Sequence, residues 1–300
     1  MTLTWRNDVK ALSLTLALTL TAAQAAPATF LNVATGSSTG TYSAMFKNIG
    51  VQCAQSAYLK ERGTSGSLEN IDLLLSNQVS LAFVQSDVLK AKQQIDQDAR
   101  VDNIKALLPL HNEEVHLFAK PAVVKKNIFG KTTTTGVTTF ADLKNKRVAA
   151  WGGSLITAKV LSAKLAVPYT ILSVKDRDAA FAALNAGQVD AILAVVGQPA
   201  PWVKDLNGVN LVPVPYTAAL SGLYSSAKLL YENMGADAVP TVAVQSVLVT
   251  RDFKTADKKK ILLDYQKCAI NHLVNLQEDE GMHPKWQEVT FKTWPWPQYK

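Results

Sequence analysis

The sequence predicts an α/β fold with parallel strands, and three observations on one stretch predict it. An apolar run, Phe30 to Ala34, stops at a polar, glycine-bearing loop from Thr35 to Tyr42. Tyr42, Phe46, Ile49, Cys53 and Ala57 then recur at three- and four-residue steps, the apolar stripe of a helix. The pattern repeats: the loop Gly63-Thr64-Ser65-Gly66-Ser67 opens a helix with Leu68, Ile71, Leu74 and Leu75 on one side. A buried-type strand, Leu81 to Val84, follows and ends at Gln85-Ser86-Asp87. Repeated strand, loop and helix suit a sheet whose strands all point the same way.

Loops between strand ends and helix starts then gather on one sheet edge. Each offers the unpaired N–H groups of a helix N-terminus, which favour a carboxylate or phosphate, and ligands of open α/β sheets bind at this edge. Ser, Thr and Gly also cap and turn there without any ligand, so both readings of the loops stand.

Gly40-Thr41-Tyr42 after a strand, Gly63-Thr64-Ser65-Gly66-Ser67-Leu68-Glu69-Asn70, and Phe83-Val84-Gln85-Ser86-Asp87 together resemble the TAXI family. These are the extracytoplasmic solute receptors of TRAP transporters. The resemblance covers most of the chain, more loosely after Lys120. It implies a two-lobed type II periplasmic binding protein fold, each lobe a small mixed sheet flanked by helices, with two crossover strands as hinge. Lobe I is expected over 26–117 and 246–300, and lobe II over 118–245. The implied partners are a small anionic or zwitterionic ligand (an organic acid or amino acid) and membrane permease subunits. No cofactor is implied, and a monomer is expected. An ABC importer or a membrane sensor kinase is the competing partner.

The 300 residues suffice for a sizeable core, and an apolar fraction of 48% argues against disorder. Arg6 and Lys10 precede the apolar run Ala11 to Leu20, and Ala23-Gln24-Ala25 has the small-residue pattern of a cleavage site. A signal peptide over 1–25 and a periplasmic mature chain are the expectation. The formal net charge is +7, but the basic residues are scattered, with Lys258-Lys259-Lys260 the one run. Nucleic-acid binding would want a basic face with interleaved aromatics. Cys53 and Cys268 are the two cysteines. In an exported two-lobed protein with both helices on one lobe they either bridge or stay as buried thiols.

Farther on, Leu107 to Leu110 and Val115 to Phe118 read as strand, bend, strand, the first crossing into the second lobe. His111 and His116 fall on opposite faces of such a strand, which disfavours a shared metal. A hairpin is expected within 120–137. The strands Arg147–Trp151, Thr170–Val174, Asp190–Val196 and Val209–Val214 alternate with helices, including one after Gly152-Gly153-Ser154 and one begun by Asp176. Thr241 to Thr250 reads as the return crossing, followed by a helix from about Thr255 to Glu278. The tail carries Trp294-Pro295-Trp296-Pro297, either packed on the first lobe or docked to a permease.

The ligand contacts expected are Ser37, Ser38, Gly40, Thr41, Tyr42, Thr64, Ser65, Asn70 and Gln85 from the first lobe. Trp151, Gly153, Ser154 and Thr157 are expected from the second. Tyr42 and Trp151 also suit the core. Arg62 and Arg177 lie near strand ends, to pair a carboxylate or simply to face solvent. Gly36-Ser37-Ser38-Thr39-Gly40 fits G-x-S-x-G, with Ser38 as nucleophile and His283 or His272 as base. Its place so early in the chain leaves no room for an oxyanion-hole segment upstream. The expectation is a binding protein and not an enzyme.

Overall fold

A computed structural model describes residues 1–2, 30–292 and 294–300; residues 3–25 of the expected signal peptide lie outside the described residues. The first lobe is built from β1 (Leu31–Gly36), α1 (Thr41–Gln52), β2 (Leu59–Gly63), α2 (Ser67–Leu75), β3 (Leu81–Gln85) and α3 (Ser86–Gln94). β1 pairs in parallel with both β2 and β3. The stripe expected to run to Ala57 is cut at Gln52, and a 3-10 turn, Ala54–Tyr58, leads into β2.

Two long strands join the lobes. The first, β4 (Ile104–Ala119), is one continuous strand rather than two with a bend. A hairpin follows, β5 (Val123–Lys126) with β6 (Thr132–Thr135). The second lobe then runs β7 (Arg147–Ala150), α4 (Ser154–Lys164), β8 (Thr170–Ser173), α5 (Arg177–Asn185), β9 (Ala191–Val196), the two-residue β10 (Asn210–Leu211) and β11 (Ser225–Leu229). The return strand is β12 (Val239–Arg251). The expected final helix is two, α6 (Ala256–Asn271) and α7 (Leu273–Glu278), broken at His272.

β12 pairs with β3 over Ser246 to Thr250, and β4 pairs with β9 over Glu114 to Ala119. β4 and β12 also pair with each other, antiparallel, so the sheets of the two lobes fuse into one ten-stranded sheet of order β2-β1-β3-β12-β4-β9-β7-β8, with β10 and β11 beside this path. The separate small sheets expected for the lobes are thus parallel outer portions of one sheet with antiparallel strands at its centre. A register shift between Gln245 and Val247 falls beside Pro109, which brings no N–H to the ladder.

Apolar residues collect on both faces of each lobe. In the first lobe, Met45, Ile49, Phe83, Leu262, Tyr265 and Trp286 fill one side, and Ile71, Leu74, Val84, Leu89 and Trp294 the other. The tail packs here as a strut: Ala106 N–H donates to Pro297 O and Tyr299 N–H to Ala106 O. In the second lobe, Val148, Leu161, Leu193 and Tyr224 lie on one face, and Phe118, Leu184, Ile192 and Val203 on the other. A disulfide joins Cys53, just past α1, to Cys268 in α6, tying the beginning of the first lobe to its end. His111 and His116 are apart, as the strand period demands. His111 Nδ1 meets Ser246 Oγ, and His116 Nε2 meets Tyr231 OH.

Candidate functional site

A cavity of about 310 Å³ lies between the lobes at the carboxyl ends of the parallel strands. The first lobe contributes the loop after β1 (Thr35 to Tyr42), the loop after β2 (Thr64 to Ser67) and Gln85 at the end of β3. The second contributes Trp151, Gly153 and Ser154 after β7, Lys175 to Asp178 after β8, Val195 and Val196 at the end of β9, and Trp202.

Three helices begin at this cavity with a glycine as N-cap: Gly40 for α1, Gly66 for α2 and Gly153 for α4. None of the three has a side-chain cap. The first-turn N–H groups of a helix have no acceptor within it, and Ser, Asp or Asn at the cap would normally supply one. At α1 and α2 no side chain covers them, while at α4 Leu155 and Ile156 N–H already donate to Gly152 O and Gly153 O, and the positive ends of three helix dipoles point into one space. α5 differs, since the Asp176 side chain accepts from Ala179 N–H and occupies that terminus itself.

The floor carries a buried acid. Glu113, on β4 where it passes between the lobes, accepts a 2.6 Å hydrogen bond from Tyr42 OH. Burial, opposed by that hydrogen bond, pushes its carboxyl up to about 8. Successive strand residues face opposite ways, and Glu114 points to the other side, where it pairs with buried Lys285 and accepts from Gln198 N–H. The rim carries both signs of charge already matched: Arg177 pairs with Asp178 at 2.8 Å and Lys175 with Asp176 at 3.5 Å. Arg177 also lies over the Trp202 ring, 5.7 Å from its centre.

Of the residues expected to touch ligand, Ser37, Gly40, Thr41, Tyr42, Thr64, Ser65, Gln85, Trp151, Gly153 and Ser154 line the cavity. Three do not. Ser38 borders a separate smaller hollow with His283. Asn70 is buried behind the loop, donating to Phe83 O and accepting from Thr64 Oγ1 at 2.5 Å, so it braces the loop from within. Thr157, one turn into α4, points at Asp87 instead. Arg177 lines the cavity, whereas Arg62 sits outside it on Gln78. Glu113, Ser67 and Trp202 are not among the contacts expected from the sequence; Glu113 stands beside Glu114 in the polar run His111 to Glu114, which reads as a turn, and nothing local tells which of the two acids faces the cavity.

No Ser-His-Asp relay forms from the G-x-S-x-G match. Ser38 has no hydrogen bond to His283, whose Nδ1 accepts Lys285 N–H, and His272 Nδ1 lies beside Cys268. Among the described residues, the one group of three prospective metal ligands is Cys53, Cys268 and His272, and its sulfurs are joined to each other.

The NMT1-like family model matches residues 33–259. The chain belongs to the NMT1-like family. Solved structures similar to this NMT1-like protein share its fold at low identity. A conserved Candida albicans gene product with the generic periplasmic binding protein fold is 17% identical, with TM-score 0.56 over 88% of this chain and 77% of its own. The substrate binding protein of an amino acid ABC transporter is 13% identical, with TM-score 0.51 over 86% and 98%. A mutant of ArgBP from T. maritima is 11% identical, with TM-score 0.51 over 86% and 95%. The NMT1-like protein therefore has the periplasmic binding protein fold.

Proposed function

We propose that this NMT1-like protein is an extracytoplasmic solute receptor that closes its lobes on a small organic anion or amino acid and delivers it to a TRAP-type permease. The observation that carries the reading is the meeting of three glycine-begun helix N-termini, from both lobes, on one cavity. Such amides bind a carboxylate without chemistry, and a ligand touching both lobes favours the closed form over the open one. The lobes are read as 26–117 with 246–300, and 118–245, hinged where β4 and β12 cross.

The cysteine bridge supports an oxidising compartment, as does the signal-like pattern at the N-terminus. Delivery to a TRAP permease rests on the three TAXI-like motifs. The test is a thermal-shift and calorimetric screen of amino acids and organic acids, followed by uptake into proteoliposomes holding the permease encoded beside the receptor. Binding with uptake driven by an ion gradient is expected. Uptake that needs ATP would assign the receptor to an ABC importer, and the absence of any binding would end the receptor reading.

A further inference from the structure

The cavity offers donors in plenty for an anion, so its acceptors are the informative groups. Glu113 is 4% exposed and lines the cavity. Its Oε2 accepts from Tyr42, and among the described residues neither carboxylate oxygen meets a lysine or arginine. Among the described residues the cation acting on Glu113 is Lys285, and it is engaged by Glu114 and Glu288. Gln85 is 3% exposed, lines the same cavity, and its buried Oε1 has no hydrogen-bond partner. Ser67 links the two sites, meeting Tyr42 OH at 3.4 Å and accepting Gln85 N–H at 3.0 Å. A buried acceptor without a donor is costly, and a carboxyl buried without a cation keeps its proton until one arrives. The missing partner is a donor, and an ammonium group brings three.

We infer that Glu113 and Gln85 receive a protonated amine of the ligand, so that the captured solute is an amino-bearing carboxylate rather than a dicarboxylate or other plain organic anion. The inference rests on reading this cavity as a ligand site. The amine sits at the floor against Glu113, and the carboxylate faces the N-terminal ends of α1, α2 and α4, whose dipoles favour it. A plain anion could use Glu113 only as a neutral acid donating its proton, which would leave Gln85 Oε1 unsatisfied. The two modes also differ in their protons. Burial, Glu114 and Asp87 raise the Glu113 carboxyl, Tyr42 and Lys285 lower it, and the balance leaves it at about 8, so the empty carboxyl keeps its proton at pH 7. An incoming ammonium favours the carboxylate and expels that proton, whereas an anion retains it.

The experiment compares each amino acid with its 2-hydroxy acid counterpart, and adds succinate and glutarate, by calorimetric titration of the full mature chain at pH 7 in buffers of differing ionisation enthalpy. An amino acid should bind about tenfold to hundredfold more tightly than its hydroxy counterpart, as expected for a hydrogen bond to a charged group, and release up to one proton. Glu113→Gln should bring the two affinities within about threefold of one another and abolish the release. Because the proton count is read on the wild type, a Glu113→Gln chain that fails to fold leaves the inference open to refutation. A hydroxy acid or dicarboxylate binding as tightly as any amino acid, or binding without proton release, would overturn this inference while sparing the receptor reading. Silence from every compound would overturn both.

Discussion

Asp87, at the start of α3 in the first lobe, accepts a 2.7 Å hydrogen bond from Thr157 Oγ1, which α4 carries in the second. The same Oδ2 accepts from Tyr224 OH at 2.7 Å, also from the second lobe, while Oδ1 takes the N–H of Val88. The carboxylate is 2% exposed, and burial raises its pKa. The bonds from Thr157 and Tyr224 run between the lobes, whereas that from Val88 lies within the first. Thr157→Val removes one of them at nearly constant volume and should shift the closed-to-open ratio by about tenfold toward open. Small-angle scattering of the ligand-free protein should show a larger radius of gyration. An unchanged radius, with unchanged ligand affinity, would show that Asp87 does not hold the lobes.

Closure also depends on bare backbone. A Cβ on Gly152 would lie 2.1 Å from Ser65 O across the cleft, and Gly152 has φ +50, where side chains are disfavoured. Gly152→Ala should weaken ligand binding at least tenfold by holding the lobes apart. It should lower the melting temperature of the ligand-free chain by only a few degrees, since the strained φ costs about 1 kcal/mol. Calorimetry and a melting curve on the same sample separate the two effects. Equal losses in both would point to a folding defect instead.

The Cys53–Cys268 bridge spans a sequence separation of 215 residues. Removing a crosslink over so long a loop frees the unfolded chain, so the double variant Cys53→Ser with Cys268→Ser should lose about 2–5 kcal/mol of stability. Urea unfolding read by tryptophan fluorescence would measure it. Ligand affinity should be unaffected, because both cysteines lie outside the cavity lining.

Acid should weaken the fold through His116, whose buried imidazole has its pKa pushed down to about 4. Between its ordinary value near 6.5 and 4 the unfolded chain takes up a proton that the folded chain refuses, so stability falls as pH drops through that window. Buried His111, also held low by desolvation, adds to the same trend. Glu113 works in the opposite sense. With its carboxyl raised to about 8, the folded chain keeps a proton the unfolded one has lost, and stability falls as pH rises from about 4.5 to 8. His116→Gln should flatten the acid limb of melting temperature against pH and Glu113→Gln the alkaline limb. A pair of profiles parallel to wild type would refute the assignment.

Local pattern carried the α/β repeats far. β1, α2 and β3 were legible because a helix or strand buried on one face writes its period into neighbouring letters. β2 was missed because Leu59-Lys60-Glu61-Arg62-Gly63 is an edge strand buried at Leu59 alone, so it shows no apolar alternation. β11, exposed along most of its length beside β12, was missed for the same reason. β4 reads as two strands because the polar run His111 to Glu114 signals a turn, yet its pairing with β12 continues through Asn112, Glu113 and Glu114.

The amino-acid order by itself determined most of the segments that become strands and helices, β2 and β11 apart, and that glycine-rich turns stand at their junctions, since periodicity and turn chemistry act over a few residues. Only the tertiary structure decided that Tyr42 meets Glu113, that Thr157 reaches Asp87 rather than the cavity, and that Asn70 braces a loop from behind. Each of those contacts depends on where one strand settles within a shared sheet and on how far two lobes close. Such relations are fixed by the packing of many distant side chains at once, and no short window of sequence contains them.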